Sequence, residues 1–333
     1  MRRCADPSGE RTAAPSRGAV RPGRGLLLVS PRGPGALLAG LQRDPWFGYL
    51  LVLPMLAWVF LTLIYPLLDT ARLSLMNVGY VGTPGTFVGA DNYVRVLGTG
   101  EFWRSVRVSL IWTVLNVTLQ FLLALIAALV LNQEFRGRHI VRNWIILPWL
   151  FPSIVLATMG KWVLDPTLGV VNYLLRAAGL VRAPISFLGS PGLALYAVTA
   201  VNVWRWFPFF TVIILAALQT IPKELGESAD IDGAGYLARL WYVELPSISE
   251  VLKMVVLLAS LWAINIFDAI WLLTRGGPMY ATTTLTILIY YKGFQEYRIS
   301  LAATLSMVMF LLLLIYGLSY LRRAVREEVA TLA

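Results

Sequence analysis

Six apolar runs separated by short polar segments dominate the chain. A helix needs roughly 20 residues to cross about 30 Å of hydrocarbon, and backbone polar groups in lipid must be satisfied within the helix itself. The pattern therefore predicts an all-α polytopic membrane protein. At the centre of four runs no residue is charged, whereas the fourth and fifth carry Arg205 and Asp268. We place the six transmembrane helices at about 47–69, 106–133, 141–164, 191–221, 250–274 and 299–321.

Composition agrees with a membrane protein and limits its chemistry. Hydrophobic residues make up 58% of the 333 residues and charged residues 14%, against about 25% charged in soluble domains. The 12 Trp and 14 Tyr are of the types that collect at membrane interfaces. The single cysteine, Cys4, excludes an intramolecular disulfide, and the single histidine, His139, excludes a histidine metal cluster. We expect neither a metal site nor a catalytic site.

The ends of the chain set its orientation. Residues 1–45 are rich in Arg, Pro and Gly and predict a disordered basic tail, and residues 322–333 form a short C-terminal tail. An even number of spans places both tails on one side, which carries 17 Lys and Arg residues against 10 on the other. This excess predicts cytoplasmic termini, and it explains the net charge of +10 better than nucleic-acid binding does. Eight of the 17 lie in the N-terminal tail, and the loops alone do not decide the orientation.

The segment 222–248 is unusually charged for a loop between two apolar spans. Its pattern predicts a helix through "KELGESADI", a turn at Gly233 and a second helix "YLARLWYVEL". Leu237, Leu240 and Trp241 would share one apolar face of the second helix. Loops that lie on the bilayer surface are usually basic, whereas this one is acidic. A helix–turn–helix that docks into a groove of another protein is therefore the better interpretation.

The order of residues in this loop resembles a signature of the permease subunits of binding-protein-dependent ABC importers. That family carries E-A-A, three residues, G, nine residues and I-x-L-P. Here the order is E-S-A, three residues, Gly233, nine residues and V-x-L-P, with Ser228 and Val243 as the departures. The resemblance implies a coupling helix that inserts into a cleft of a separate ATPase, with Glu227 as the acid that pairs with it and Gly233 as a hinge. The coupling residues it implies are Glu227, Ser228, Ala229, Asp232, Gly233, Ala234, Leu245 and Pro246.

Four other stretches resemble the carbohydrate-uptake branch of that family, the maltose and glycerol-3-phosphate permease type. They are "FVGADNYVRVL", "PFFTVIILAALQTIP", "FDAIWLLTRGGP" and "TTTLTILIYYKGF". The third ends in a family loop made of Gly276, Gly277 and Pro278. The resemblance covers about residues 46–321 and implies the type I ABC importer permease fold.

The resemblance also implies what this chain works with. A second permease subunit, two ATPase subunits that bind ATP and Mg, and an extracytoplasmic solute-binding protein would complete the importer. The importer would take a sugar or related polyol across the cytoplasmic (inner) membrane of a bacterium or archaeon. This chain would bind no cofactor and hydrolyse no ATP, because its sequence has no G-x-x-x-x-G-K-[ST] loop. No nucleic-acid partner is expected.

One face of the fourth span suits a sugar pathway. Asn202, Arg205, Trp206 and Phe209 are spaced i, i+3, i+4 and i+7, so they share one side of a helix. An Arg within a span costs about 2.5–3.5 kcal/mol and should face the protein interior or a wet cavity. Polar groups beside aromatic rings match a sugar, which offers hydroxyl groups at its rim and C–H faces for stacking.

The fifth span adds Asn265 and Asp268, which would lie one turn apart on a continuous helix. We assign both to the pathway, while an internal ion pair between Arg205 and Asp268 is an alternative. A further polar stripe, on the second span, is explained at least as well by hydrogen bonds between helices. Its members are Thr113, Asn116 and Gln120.

Other classes of membrane protein fit the sequence less well. An ion-coupled secondary carrier should show an internal repeat and buried acids in several spans, whereas the span centres carry only Asp268 and no repeat is visible. A membrane-embedded enzyme would need clustered carboxylates or histidines in its spans, and the sequence has none. An importer permease is the best interpretation, with a non-sugar solute such as glycerol phosphate as an alternative cargo.

Overall fold

The computed structural model describes residues 45–78 and 83–332 of the chain. The basic tail predicted over residues 1–45 therefore lies outside the described residues, except for its last position. The chain divides into two units, with the boundary between Thr62 and Leu63. Within the described ranges the chain is mostly helical, as the apolar pattern predicted.

The first transmembrane segment is a long helix with a π-helical turn at its centre. Helix α1 (Pro45–Val59) is followed by the turn (Phe60–Ile64) and by α2 (Tyr65–Ser74). The turn lies just before Pro66, whose ring would clash with a carbonyl one turn earlier in a regular helix. Residues Gly48–Ser74 are long and apolar enough to cross a membrane.

A small hairpin and a short helix follow. Strands β1 (Met76–Asn77) and β2 (Thr86–Phe87) pair antiparallel, a minor departure from the all-α prediction. Asn92, on α3 (Asp91–Leu97), is buried beneath the first strand, and its Nδ2 donates to the carbonyl of Ser74 at 3.0 Å. This amide ties the end of the first span to the segment that leads into the second.

The second span is the long helix α4 (Gly100–Asn132), which begins ahead of the expected position 106. Thr99 caps it, because the Thr99 Oγ1 accepts a hydrogen bond from the N–H of Phe102 at 3.3 Å. The cap satisfies one of the N–H groups that a helix leaves free at its start.

The segment expected as the third span is a bent pair of helices, not one continuous helix over 141–164. Helices α5 (Arg138–Ile145) and α6 (Leu147–Leu150) precede a bend of 98°, and α7 (Ser153–Val163) follows it. Pro152 causes the break. It lacks a backbone N–H, and the residue before it is extended at ψ 139°, as residues before proline prefer.

The fourth span is the uninterrupted helix α9 (Ala194–Leu218), which is preceded by the short helix α8 (Val170–Ala177). Pro208 lies inside α9 without breaking it, which is common for prolines in membrane helices. The loop after α9 consists of short helical pieces. They are α10 (Lys223–Ile231), α11 (Tyr236–Arg239), a π-helical turn (Leu240–Glu244) and α12 (Leu245–Ser247).

The expected fifth span, 250–274, is also broken. Helix α13 (Ser249–Asn265) ends, residues 266–267 are non-helical, and α14 (Asp268–Thr274) begins. A second bend, of 72°, separates Tyr236–Ser247 from Ser249–Asn265. The helix expected to carry Asn265 and Asp268 on one face therefore does not exist as a single element.

Side chains of other helices stabilise the break after α13. The indole Nε1 of Trp112 donates to the carbonyl of Ala263 at 2.9 Å, and the hydroxyl of Thr286 donates to the carbonyl of Ile266 at 3.2 Å. The Ala263 carbonyl also accepts from the N–H of Ile266 at 3.4 Å, and the last carbonyls of a helix have no regular partner within it. Interhelical hydrogen bonds thus offset the cost of breaking a span at a point without proline or glycine.

The chain ends with α15 (Leu285–Tyr290), a third π-helical turn (Tyr291–Gln295) and the long helix α16 (Ile299–Leu332). The segment 322–333, predicted as a simple tail, continues α16 as far as residue 332. The residues "LRRAVREEVATL" are largely good helix formers, which explains the extension. Among the described helices, four can cross a membrane singly and six spans result if each bent pair counts as one.

Several spans of the second unit pack against α9. Ala124 and Ala128 of α4 lie against Phe210 and Ile214 of α9 in the largest apolar cluster, to which Val255 of α13 also belongs. Small residues at such contacts let helices approach closely. This packing brings α4, α13 and α14 next to the face of α9 that carries Arg205.

Candidate functional site

Gly233 forms the turn of the loop 222–248. It follows α10 with φ +76°, a left-handed conformation that glycine adopts without strain. The Gly233 N–H donates to the carbonyl of Asp230 at 3.1 Å, and the Ala234 N–H donates to the carbonyl of Ala229 at 2.9 Å. This pair of bonds is the Schellman motif, which ends a helix at a glycine. The turn lies at the glycine where the sequence predicted it.

Arg239 joins the two sides of the turn. Its Nε donates to Glu244 Oε1 at 3.0 Å, and its Nη1 lies 3.5 Å from Asp230 Oδ2. The guanidinium thereby links α10 to the segment after α11. The loop is a cross-linked helix–turn–helix and not an extended connection.

The outer surface of the loop combines acid and apolar groups. Glu227 is exposed on α10. The large exposed apolar side chains of the loop are Leu225, Ile231, Tyr236, Leu237, Trp241 and Tyr242. Leu240 is buried, so the single apolar face predicted for it with Leu237 and Trp241 is not formed. The helix widens to π geometry from Leu240 onward, which changes the spacing on which that prediction relied.

The remaining signature residues shape the loop. Ala229 is buried, and the hydroxyl of Ser228 donates to a backbone carbonyl one turn earlier at 3.2 Å. Asp232 is the C-cap residue of α10. Leu245 and Pro246 open α12, where a proline is tolerated because the first N–H groups of a helix have no partner.

A cavity of about 400 Å³ lies between this loop and the ends of α4 and α9. Glu227, Asp230 and Arg138 are among its lining residues. With its amide oxygen oriented toward α5, Gln219 accepts from the guanidinium groups of Arg138 at 2.6 Å and Arg142 at 3.0 Å. The residue that ends the fourth span is thus held by the start of the third.

Arg205 and Asp268 form an ion pair, with 2.9 Å between Arg205 Nη1 and Asp268 Oδ2. The Arg205 side chain is 16% exposed and that of Asp268 42%, so the pair is partly buried. The guanidinium also lies over the ring of Trp206, 5.2 Å from its centroid. The internal pair that the sequence left open as an alternative is therefore present.

Asn202 belongs to a hydrogen-bond network between α9 and α4. Its Nδ2 donates to Asn116 Oδ1 at 2.6 Å, and Gln120 Nε2 donates to the same oxygen at 3.3 Å. Both α4 residues are buried. A hydrogen bond between helices thus accounts for Asn116, and Gln120 bonds to Asn116 within α4. Thr113 Oγ1 is buried without a partner among the described residues.

Trp206 and Phe209 belong to an aromatic cluster that the sequence did not reveal. The ring centroid of Trp262, on α13, lies 5.1 Å from that of Trp206 and 5.3 Å from that of Phe209. Trp149, on α6, lies 5.3 Å from Phe209. Three helices contribute to the cluster, so periodicity within one span could not identify it. A Trp inside an apolar run was the one available signal.

Three buried polar atoms on this face of α9 have no hydrogen-bond partner among the described residues. They are Asn202 Oδ1, Arg205 Nε and Trp206 Nε1. One is an acceptor and two are donors. Buried polar atoms are normally satisfied, so these three atoms stand out on this side of α9.

Asn265 lies apart from this cluster. Its Nδ2 donates to the carbonyl of Leu261 at 2.8 Å. It lines a separate, mostly apolar groove of about 460 Å³ with Phe267 and Tyr290. The break at residues 266–267 places Asn265 at the end of α13 and Asp268 at the start of α14, so the two do not lie on one continuous helix as expected.

The family loop at residues 276–278 is tightly held. Gly276 has φ +82°, and a Cβ there would meet Thr283 Oγ1 at 2.8 Å. The Thr283 hydroxyl donates to the carbonyl of Gly276 at 2.8 Å, and the Thr282 hydroxyl donates to the carbonyl of Gly277 at 2.8 Å. The peptide bond before Pro278 is cis. These contacts fix the end of α14 to the start of α15.

Comparison with known proteins identifies the family. Residues 120–327 match the family described as binding-protein-dependent transport system inner membrane component. The trehalose/maltose transport system permease protein MalF of Thermococcus litoralis is 35% identical over 84% of this chain and 94% of its own length. The sn-glycerol-3-phosphate transport system permease protein UgpA of Yersinia pestis is 31% identical over 83% of this chain and 92% of its own length.

A solved structure shows the same fold. A chain of a bacterial ABC transporter involved in the import of the acidic polysaccharide alginate matches with a TM-score of 0.76 at 24% identity, over 87% of this chain and 99% of that chain. The predicted type I importer permease fold is therefore confirmed. Together these findings confirm the resemblance that the loop 222–248 suggested: the chain belongs to the binding-protein-dependent transport system inner membrane components, the permease subunits of ABC importers.

Proposed function

We propose that this permease forms one wall of a pathway for a neutral sugar or polyol. An extracytoplasmic solute-binding protein delivers the cargo, and a second permease subunit forms the opposite wall. Two copies of a separate ATPase, which bind ATP and Mg, drive alternating access through the loop 222–248. Both termini lie in the cytoplasm, on the side of that loop.

The chemistry of the α9 face supports a carbohydrate cargo. The rings of Trp206, Phe209 and Trp262 offer apolar surfaces for the C–H faces of a sugar. Beside them lie the unpartnered atoms of Asn202, Arg205 and Trp206. A hydroxyl group can accept from the two donors and donate to the acceptor, so sugar hydroxyls would complete all three.

The Arg205–Asp268 pair supports a neutral cargo and is the observation that carries this proposal. At 2.9 Å the carboxylate balances the charge of the guanidinium. A phosphate or uronate would meet the Asp268 carboxylate and the side-chain oxygen Oδ1 of Asn202, and both would repel its negative charge. Arg205 would not offset this repulsion, because its guanidinium is already paired. The named cargoes of the similar proteins include neutral sugars and anions. The charge of the cargo is therefore the property that this proposal decides.

The exposed surface of the loop 222–248 supports docking to the ATPase. Glu227 is exposed and available for a charge-assisted hydrogen bond. Leu237 and Trp241 expose 66% and 65% of their surface. An apolar surface with a fixed acid on a cross-linked helix–turn–helix is typical of a helix that docks into a groove.

The test uses the complete complex reconstituted in proteoliposomes. Binding-protein-dependent uptake is measured for a panel of neutral mono- and disaccharides, polyols, glycerol 3-phosphate and uronates. We expect a neutral carbohydrate to be taken up and the anions to be rejected. Preferred uptake of an anion would contradict the neutral pathway. Uptake by this chain alone in liposomes under an ion gradient would instead support a secondary carrier.

A further inference from the structure

Six large apolar side chains between residues 162 and 180 are mostly exposed. Their exposed fractions range from 56% for Val170 to 82% for Leu168. The six are Trp162, Leu168, Val170, Tyr173, Leu174 and Leu180, and we call them the apolar patch. Exposed apolar side chains concentrated in one segment indicate a contact with a partner or with a membrane.

Three members of the apolar patch lie on one side of α8. Val170, Tyr173, Leu174 and Ala177 are spaced i, i+3, i+4 and i+7 and are all exposed. Asn172, on the opposite side, is buried. The helix is therefore amphipathic, but its polar residue Asn172 faces the protein interior and its apolar side faces outward, the reverse of a helix on a soluble protein.

Hydrogen bonds hold α8 in this orientation. Asn172 Nδ2 donates to the carbonyls of Ile185 at 2.9 Å and Asp165 at 3.1 Å, and the Ile185 N–H donates to Asn172 Oδ1 at 2.8 Å. Asp165 Oδ1 accepts from the N–H groups of Thr167 and Leu168, both at 2.8 Å. The outward side of α8 is thus presented by a fixed element.

The rim of the apolar patch is cationic. Lys161, Arg176 and Arg182 flank it, and none of them forms an ion pair with another residue in the described part of the chain. Asp165 is the one acid between residues 161 and 190, and its Oδ1 is already taken by the bonds above. The segment therefore carries an excess of positive charge toward whatever covers it.

The position of α8 in the chain indicates that the apolar patch contacts the membrane. It begins soon after α7 ends at Val163, and α7 is the second half of a bent pair that can cross a membrane. The apolar patch is therefore continuous with the point at which a span leaves the bilayer. Trp and Tyr are enriched at that depth, and amphipathic helices with cationic rims lie in the headgroup region.

We propose that α8 is a membrane-interface anchor. The apolar patch lies in the boundary between headgroups and acyl chains of the leaflet at which α7 ends, and Lys161, Arg176 and Arg182 contact the phosphate groups of anionic lipids. The anchor fixes the depth of the bent third span. This inference does not depend on the nature of the cargo.

The test places fluorescent labels on the complete complex in vesicles. Cys4 is the single cysteine, so a Cys4→Ser background accepts single-cysteine variants. Leu174→Cys and Val170→Cys report on the apolar patch. Leu312→Cys, 51% exposed on α16, is the control for a lipid-facing site, and Thr86→Cys, on the exposed strand β2, is the control for an aqueous site. Emission is quenched with brominated-acyl phosphatidylcholine or with aqueous iodide.

We expect the labels at positions 174 and 170 to be quenched by the brominated lipid at least half as strongly as the label at 312, and by iodide less than half as strongly as the label at 86. Quenching by iodide alone would overturn the anchor. Protection from both quenchers would also overturn it and assign the apolar patch to a protein partner.

The lipid preference has its own test. In vesicles of phosphatidylcholine with added phosphatidylglycerol, lipid quenching at position 174 should rise at least twofold over phosphatidylcholine alone. Replacing Lys161, Arg176 and Arg182 together by Gln should abolish that rise. An unchanged response in the triple variant would overturn the assignment of these cations to lipid phosphates.

Discussion

Arg205 and Asp268 come from different spans, and their side chains meet at 2.9 Å beside the ring of Trp206. An arginine within a span needs a partner or water to offset its cost, and here a carboxylate from the start of α14 provides that partner. The pair also has a structural consequence. It joins α9 to the break in the fifth span and leaves the Arg205 Nε buried and unpaired among the described atoms.

Arg205→Ala should lower both the stability and the uptake of the complex. Removing one partner of a buried pair costs about 3–5 kcal/mol because it leaves an uncompensated charge. Asp268 is 42% exposed, so solvent should reduce the cost below that range. The measurements are the amount of subunit assembled with its partners and the rate of uptake.

Adding Asp268→Asn to Arg205→Ala separates the two roles of the pair. We expect the double variant to regain assembly, because no unpaired carboxylate remains, while uptake stays low, because the proposed contact of Arg205 Nε with the cargo is lost. Recovery of assembly and uptake together would show that the pair is structural and that Arg205 has no part in the pathway.

Gly233→Val should disrupt the coupling loop. A left-handed backbone costs a residue with a Cβ about 1–2 kcal/mol, and a β-branched side chain more. Gly235→Ala is the matched control, because Gly235 has φ −68° and an added Cβ would meet no atom within 4 Å. We expect the first variant to lose ATPase from purified membranes or to hydrolyse ATP without uptake. Equal behaviour of the two variants would argue against the turn as a coupling element.

Glu227→Ala should weaken the contact with the ATPase, and Glu224→Ala should not. Both acids are exposed on α10, so the two changes remove the same charge from the same helix. A hydrogen bond to a charged group contributes about 1.5–3 kcal/mol, which corresponds to roughly 10- to 150-fold in affinity. The measurement is ATPase binding to permease in nanodiscs. If both variants bind the ATPase as tightly as the unchanged chain, the assignment of Glu227 fails.

Local patterns predicted the helical spans and the turn well. Apolar runs near the length of a bilayer identified the membrane segments, and the first glycine after a short helical pattern identified the turn at Gly233. The bend at Pro152 also has a local cause, because proline removes a backbone donor. A proline alone does not show whether a membrane helix breaks, because Pro152 ends its helix whereas Pro208 lies inside α9.

The features that the sequence missed depend on contacts between distant segments. The break at residues 266–267 relies on hydrogen bonds from Trp112 and Thr286, which are far away in the chain. The aromatic cluster likewise requires Trp149 and Trp262 to meet the face of α9. Such pairings become visible only when the helices are packed together.

The most direct test of the proposed pathway is the apparent KM of uptake in Trp262→Ala. An aromatic contact contributes about 0.5–1.5 kcal/mol beyond apolar burial, so KM for the transported neutral sugar should rise roughly 2- to 12-fold, with assembly and ATPase binding unchanged. Trp262→Phe should restore most of the loss, and Trp58→Ala, on the exposed surface of α1, should leave KM unchanged. An unchanged KM in Trp262→Ala, or an equal rise in Trp58→Ala, would contradict a sugar pathway along this face of α9.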